Sequence, residues 1–175
     1  GEIRFRLGPI IHDTITLMKL NKRHEQSVVI YDDRGEGAGE YNGDPIILKQ
    51  ILIDLLSAAI SGASGKVTIK IQAREAGLKE GAQKVEFTLS SNNPVVFIGE
   101  GRQPWPLAGR LIRDGGGSWQ ESTTGSGSWF VFHIYLRKAE KLNQPAAAST
   151  LIKGMQPEKG RKEMKDLNIL LVEDN

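Results

Sequence analysis

The chain has 175 residues, enough for one well-buried domain plus an appendage and too few for two full domains of ordinary size. Hydrophobic residues at 39% and charged residues at 25% exclude wholesale disorder, and 23 Lys and Arg against 21 Asp and Glu leave a net charge of +2, too balanced to imply a nucleic-acid partner. Cysteine is absent, which excludes thiol catalysis, disulfide stapling and Cys-based zinc sites; the longest apolar run, within 46–60, is broken by Lys49, Gln50 and Asp54 and spans no bilayer.

Ile11, Ile15 and Met18, with Leu17 and Leu20 nearby, predict a helix over 10–20 that starts just after Pro9. The apolar run 27–31 reads as a strand and ends in an acidic, glycine-rich loop, 32–43. Asp44 followed by Pro45 is a good N-cap and first-turn pair. Leu48, Ile51, Leu52, Leu55, Ala59 and Ile60 then keep one apolar helical face until Gly62 marks the stop. Val67, Ile69 and Ile71 alternate with polar residues, as do Val85, Phe87 and Leu89 beyond a loop containing Gly77 and Gly81, which suggests an antiparallel pair.

Residues 92–106 are irregular and rich in Gly and Pro. Leu107 to Arg113 is a short helix, and Gly115 to Gly117 read as its stop and a tight strand entry. Strands over 117–122 and 129–136 follow, the second with Phe130, Phe132 and Ile134 on one side and Val131, His133 and Tyr135 on the other. Helices and strands in separate layers imply an α/β sandwich: a mixed, mostly antiparallel sheet with about three helices on one face. From Lys138 to Asp166 the composition is that of a linker. An apolar burst, Leu167 to Val172, and the acidic pair Glu173 and Asp174 close the chain. The expected division is a domain over 1–137, a linker over 138–166 and a terminal strand over 167–175.

Three stretches together resemble the catalytic, ATP-binding domain of sensor histidine kinases, within the wider gyrase, chaperone and kinase ATPase superfamily. GDPIILKQILIDLLSAAI, 43–60, is similar to the segment through that family's asparagine box. LAGRLIRDGGGSWQES, 107–122, is similar to the helix, double glycine and strand after the nucleotide lid. TGSGSWFVFHIYL, 124–136, is similar to the closing hairpin. The tail LNILLVEDN resembles the first strand of a response-regulator receiver domain, with Glu173 and Asp174 as the pair that helps hold Mg²⁺ in a complete receiver. The resemblance therefore implies a Bergerat-like fold and the layout of a hybrid sensor kinase in two-component phosphorelay signalling.

It also implies a nucleotide pocket, and the pocket positions depart from the pattern. The first box Asn falls on Asp54, the metal-binding Asn on Ala58 and the basic residue one turn on at Ser61; their i, i+4, i+7 spacing puts all three on one helix face. A methyl group offers a metal no oxygen. The adenine-binding Asp falls on Ser91 and a following glycine on Asn93, which replaces a charge-assisted hydrogen bond with a weaker one. Where the lid's glycine box belongs, GEGRQPWP keeps Gly99 and Gly101 but adds prolines, which remove amide donors that would face phosphate.

The expectation is a degenerate, vestigial nucleotide pocket (Asp54, Ala58, Ser61, Ser91, Asn93, Gly99 and Gly101) in a non-catalytic scaffold or docking module. No bound cofactor is expected, with ATP and Mg only if residual binding survives, and no metal is held within this stretch. The implied partners are its own or a partner's receiver domain and a partner histidine kinase, without nucleic acid or direct membrane contact. The strand 167–172 is expected to add to an exposed sheet edge, its own or a neighbouring chain's, the second case giving a dimer, and the location is cytoplasmic with a parent that is free to be membrane-anchored. The alternatives are a divergent but active domain that supports histidine autophosphorylation, with Asp54 as a shifted ligand, and a degenerate domain of the phosphotransfer-protein type. His12 beside Asp13 reads as a surface or helix-packing residue, His133 as sheet packing and His24 as solvated. Trp105, Trp119 and Trp129 read as core or interface residues.

Overall fold

Asp44 starts the longest helix as its sequence dictates: the carboxylate accepts from the Ile46 amide at 3.0 Å, and Pro45 opens α2, Pro45–Ser61. Gly62 ends it by donating back to the Ala58 carbonyl at 3.0 Å. The computed structural model describes residues 2–34, 39–101 and 103–140. The expected linker and the receiver-like strand, including Leu167, Val172, Glu173 and Asp174, lie outside the described residues. Those described before Glu140 belong to one compact unit.

In chain order the other elements are β1 (Ile3–Arg6), α1 (Leu7–Lys19), a 3₁₀ turn (Lys22–His24), β2 (Val28–Tyr31) and β3 (Glu40–Gly43) before α2. After it come β4 (Thr68–Lys79), β5 (Ala82–Ser91), α3 (Leu107–Asp114), β6 (Ser118–Thr124) and β7 (Gly127–Lys138). The strands form one sheet in the order β1-β3-β7-β5-β4-β2, with β6 also on β7. Among the described residues only β2 and β4 run parallel, so the sheet is mixed and mostly antiparallel, as expected. β7 is its spine. One edge takes β5 over nine residue pairs, and β6 and β3 follow each other along the other edge.

The 4–5 hairpin turns on Glu80 and Gly81, both at positive φ, which matches the twist of the flanking strands. Gly77 lies within β4, at the bulge between Glu75 and Leu78, rather than in a loop. Two strands were not foreseen. β1 and β3 are four residues each and bury one side chain apiece, Phe5 and Tyr41, so neither leaves a period to read. The first helix begins at Leu7, three residues before the expected start; Pro9 is tolerated there because first-turn amides have no intrahelical partner.

The inward face of the sheet carries Ile69, Ile71, Val85, Phe87, Leu89, Phe130 and Phe132, all fully buried beneath Leu52, Leu55 and Leu56 of α2. Phe87 stacks on Phe132 with centroids 4.9 Å apart. Each such side chain contributes about 1.5–3 kcal/mol, so this layer dominates stability. Gly117 shows why the triple glycine is needed: a Cβ there would lie 1.9 Å from the His133 carbonyl.

Tyr41 is fully buried and its phenol donates to Glu75, whose other oxygen pairs with Lys138 at 3.3 Å. Burial, and then the bond to Glu75, push the phenol pKa well above its ordinary value. His24 corrects an expectation: it is buried, not solvated, because the turn after α1 folds it under Ile15, Met18 and Ile60. His12 is exposed and meets Tyr31 edge-on at 5.5 Å. His133 lies on the outward face of β7, half-buried against Tyr135.

Candidate functional site

Asp54 and Ala58 are half-buried on α2, while Ser61, its last residue, is exposed. The Asp54 carboxylate is not turned to solvent. Its Oδ2 accepts from the Ala108 amide at 2.9 Å, in the first turn of α3. Pro106, at the N-cap of that helix, supplies no side-chain acceptor, so Asp54 satisfies from the neighbouring helix an amide that α3 cannot satisfy itself. A carboxylate there also suits the positive end of the helix dipole.

The same turn is pressed onto a pair of tryptophans. A Cβ on Gly109 would lie 3.1 Å from the Trp119 ring and 3.2 Å from Trp105 Cβ, so the glycine permits the approach. The two indoles meet edge to face at 5.1 Å, and the Arg113 guanidinium stands 5.2 and 5.3 Å from their centroids. Trp105 and Trp119 thus have the packing role expected of them, whereas Trp129 is 40% exposed on the outward face.

Ser91 ends β5. Its hydroxyl, nearly buried, accepts from the Asn93 amide at 3.0 Å, so these two pocket positions are bonded to each other in a local turn. Beyond them no helix or strand forms until α3, in agreement with the irregular segment expected over 92–106. Residues 94–99 nevertheless form a tightly packed strap: Val95, Phe97 and Ile98 are buried and Val96 points out. The Val95 amide donates to Ser128 Oγ at 2.8 Å, and Thr123 donates to the Val95 carbonyl at 2.9 Å.

Three further strap amides, those of Phe97, Ile98 and Gly99, meet one side chain. Glu121, on β6, accepts from Phe97 at 2.7 Å through Oε2 and from Ile98 and Gly99 at 3.1 and 2.9 Å through Oε1. Gly99 and Gly101 both have positive φ, which glycine alone adopts without strain. Glu121 was not among the residues singled out by sequence. Strand alternation held the signal: Trp119, Glu121 and Thr123 share one face, and a half-buried carboxylate there gains from donors.

The seven sequence-chosen residues are therefore engaged separately. Asp54 joins α3, Ser91 joins Asn93, and the Gly99 amide joins Glu121. Ser61 lines an open groove with Arg23, Gln26 and Ser64. Gly99 lines a different groove of about 390 Å³ with Val96, Trp119 and Thr123. Among the described residues no three His, Asp or Glu side chains gather as a metal site, and no helix is long and apolar enough to cross a membrane.

No family profile matches the chain, and no curated protein matches it by sequence. Solved structures do. The catalytic domain of the histidine kinase ThkA superposes with a TM-score of 0.61 at 19% identity, covering 79% of this chain and 99% of that domain. The chain has the fold of a histidine kinase catalytic domain. Histidine kinase AdeS of Acinetobacter baumannii matches at a TM-score of 0.56 and 18% identity over 78% of this chain and 68% of that one. Full-length ShkA in complex with AMPPNP matches at 0.60 and 17% over 81% and 32%. ThkA has also been solved in complex with the response regulator TrrA, where the match is 0.59 at 20% over 77% and 41%. At these identities the likeness is one of fold.

Proposed function

We propose that this chain is the ATP-binding-type domain of a hybrid sensor histidine kinase whose nucleotide site is vestigial, and that it serves two-component signalling as a non-catalytic scaffold or docking module. The observation that carries the reading is the engagement of backbone amides by the chain's own carboxylates. Asp54 caps the helix start at Ala108, and Glu121 caps the strap through Gly99. A phosphate needs donors of that kind, free and convergent. Ala58 adds a methyl group where the resemblance asks for a metal-binding oxygen. The Ser91 hydroxyl, a neutral group where the resemblance asks for a carboxylate, already accepts one bond from the Asn93 amide. ATP and Mg do not fit this donor set.

The receiver-like sequence LNILLVEDN supports the hybrid layout, and the complex of ThkA with TrrA supports a receiver domain as the partner class. A cytoplasmic location follows from the same reading. Calorimetric titration with Mg²⁺–ATP tests it: the expected result is no saturable heat at micromolar concentrations. Micromolar binding that Asp54→Ala abolishes would establish the alternative, a divergent active site built on Asp54.

A further inference from the structure

Alternate side chains of β6 share one face by register: Trp119 stands opposite Phe132, Glu121 opposite Phe130 and, at the exposed end of the row, Thr123 opposite Ser128. The middle position of that row holds a carboxylate, where the pattern calls for an apolar side chain. Glu121 is half-buried and borders the open groove beside Gly99, and a carboxylate drawn partly out of water gains from donors to its oxygens. Among the described residues the partners of Glu121 are not cations but three consecutive amides, Phe97, Ile98 and Gly99. Successive N–H groups converging on one anion form a nest, and the positive φ of Gly99, +93°, ends the run there. With the amides met, Val95, Phe97 and Ile98 sit in the core, and Phe97 lies against the Phe130 ring at 5.5 Å.

We propose that Glu121 is a latch. Its carboxylate keeps residues 97–99 closed against the sheet without any ligand, beside the turn that carries Ser91 and Asn93. The bond count gives the latch its direction. With Glu121 in place, three strap amides are satisfied while Phe97 and Ile98 stay buried. Without it, the same amides have no acceptor in the closed position and must open to water. The latch goes beyond the nucleotide reading, since it is a property of the chain alone.

The test is amide hydrogen exchange on the whole chain, without nucleotide, for wild type, Glu121→Ala and Glu121→Gln. The expected result for Glu121→Ala is exchange roughly tenfold or more faster at Phe97, Ile98 and Gly99, with Phe87 and Phe132 amides unchanged. Glu121→Gln keeps one oxygen and should give a smaller acceleration at the same amides. Unchanged exchange at 97–99 in Glu121→Ala would overturn the latch, as would an equal rise in strap and sheet. If Glu121→Ala fails to fold, Glu121→Gln decides: selective acceleration at 97–99 with an unchanged unfolding midpoint supports the latch, and unchanged exchange overturns it. Because no nucleotide is present, failure here leaves the ATP titration to be judged separately.

Discussion

The α2 layer and the 94–99 strap lie in one domain yet are held by different forces. Beneath α2, fully buried leucines, isoleucines and phenylalanines meet side chain to side chain. The strap buries Val95, Phe97 and Ile98 as well, but only because Glu121, Ser128 and Thr123 complete its backbone bonds. The first region is spread over many contacts and tolerates small changes. The second hangs on a few directional bonds, so a single side chain governs it. A fold can therefore keep its layers while its loops acquire new attachments, since the two draw on different interactions.

The largest effect that would break this contrast is expected at Leu55, fully buried on α2. Leu55→Ala should cost about 2–5 kcal/mol in global unfolding free energy, read as a lower urea midpoint with an unchanged slope. A loss well under ~1 kcal/mol would mean that the layer is not the main source of stability. Asp54→Ala should cost less, about 0.5–2 kcal/mol, through the lost cap on α3, and the Ala108 amide should exchange faster while β5 stays protected. Equal acceleration across the sheet would place Asp54 with the core rather than with the loop attachments.

The smallest effect at neutral pH belongs to Tyr41, where Tyr41→Phe should cost about 0.5–1.5 kcal/mol for the lost bond to Glu75. Its signature is the pH dependence. The folded phenol holds its proton above the ordinary pKa of 10.0, because of burial first and Glu75 second. Unfolded chains therefore release that proton earlier, and the wild-type protein loses stability as pH rises past 10.0. Tyr41→Phe should show a shallower alkaline decline, the remainder coming in part from Tyr31, whose pKa burial also raises; urea midpoints measured on either side of that pH check it, and parallel curves for both proteins would refute the assignment.

Much of the frame was legible in the sequence because it rests on period. The 3.6-residue repeat from Leu48 to Ile60 and the alternation around Val85 and Phe130 each report a buried face, and the helix caps at Asp44 and Gly62 report the ends. β1 and β3 were missed because one buried residue in four makes no pattern. Burial of His24 was missed because it depends on how the turn after α1 packs, which no local signal fixes. The pocket positions were named from resemblance, but where their polar groups point was not readable. That Asp54 would reach Ala108, fifty-four residues on, or that Glu121 would gather three amides, depends on tertiary approach.

β7 has a further consequence, in the timing of folding. Among the described residues it is the last strand in sequence, yet it pairs with β3, β5 and β6, so residues near 41 wait for partners near 138. As the chain leaves the ribosome, β1 and β3 have no place in the sheet until almost the whole domain has emerged. Contacts of such long sequence separation slow folding, and they make completion of the sheet a late, cooperative step. During synthesis the exposed edge of β5 is open to wrong pairing until β7 arrives.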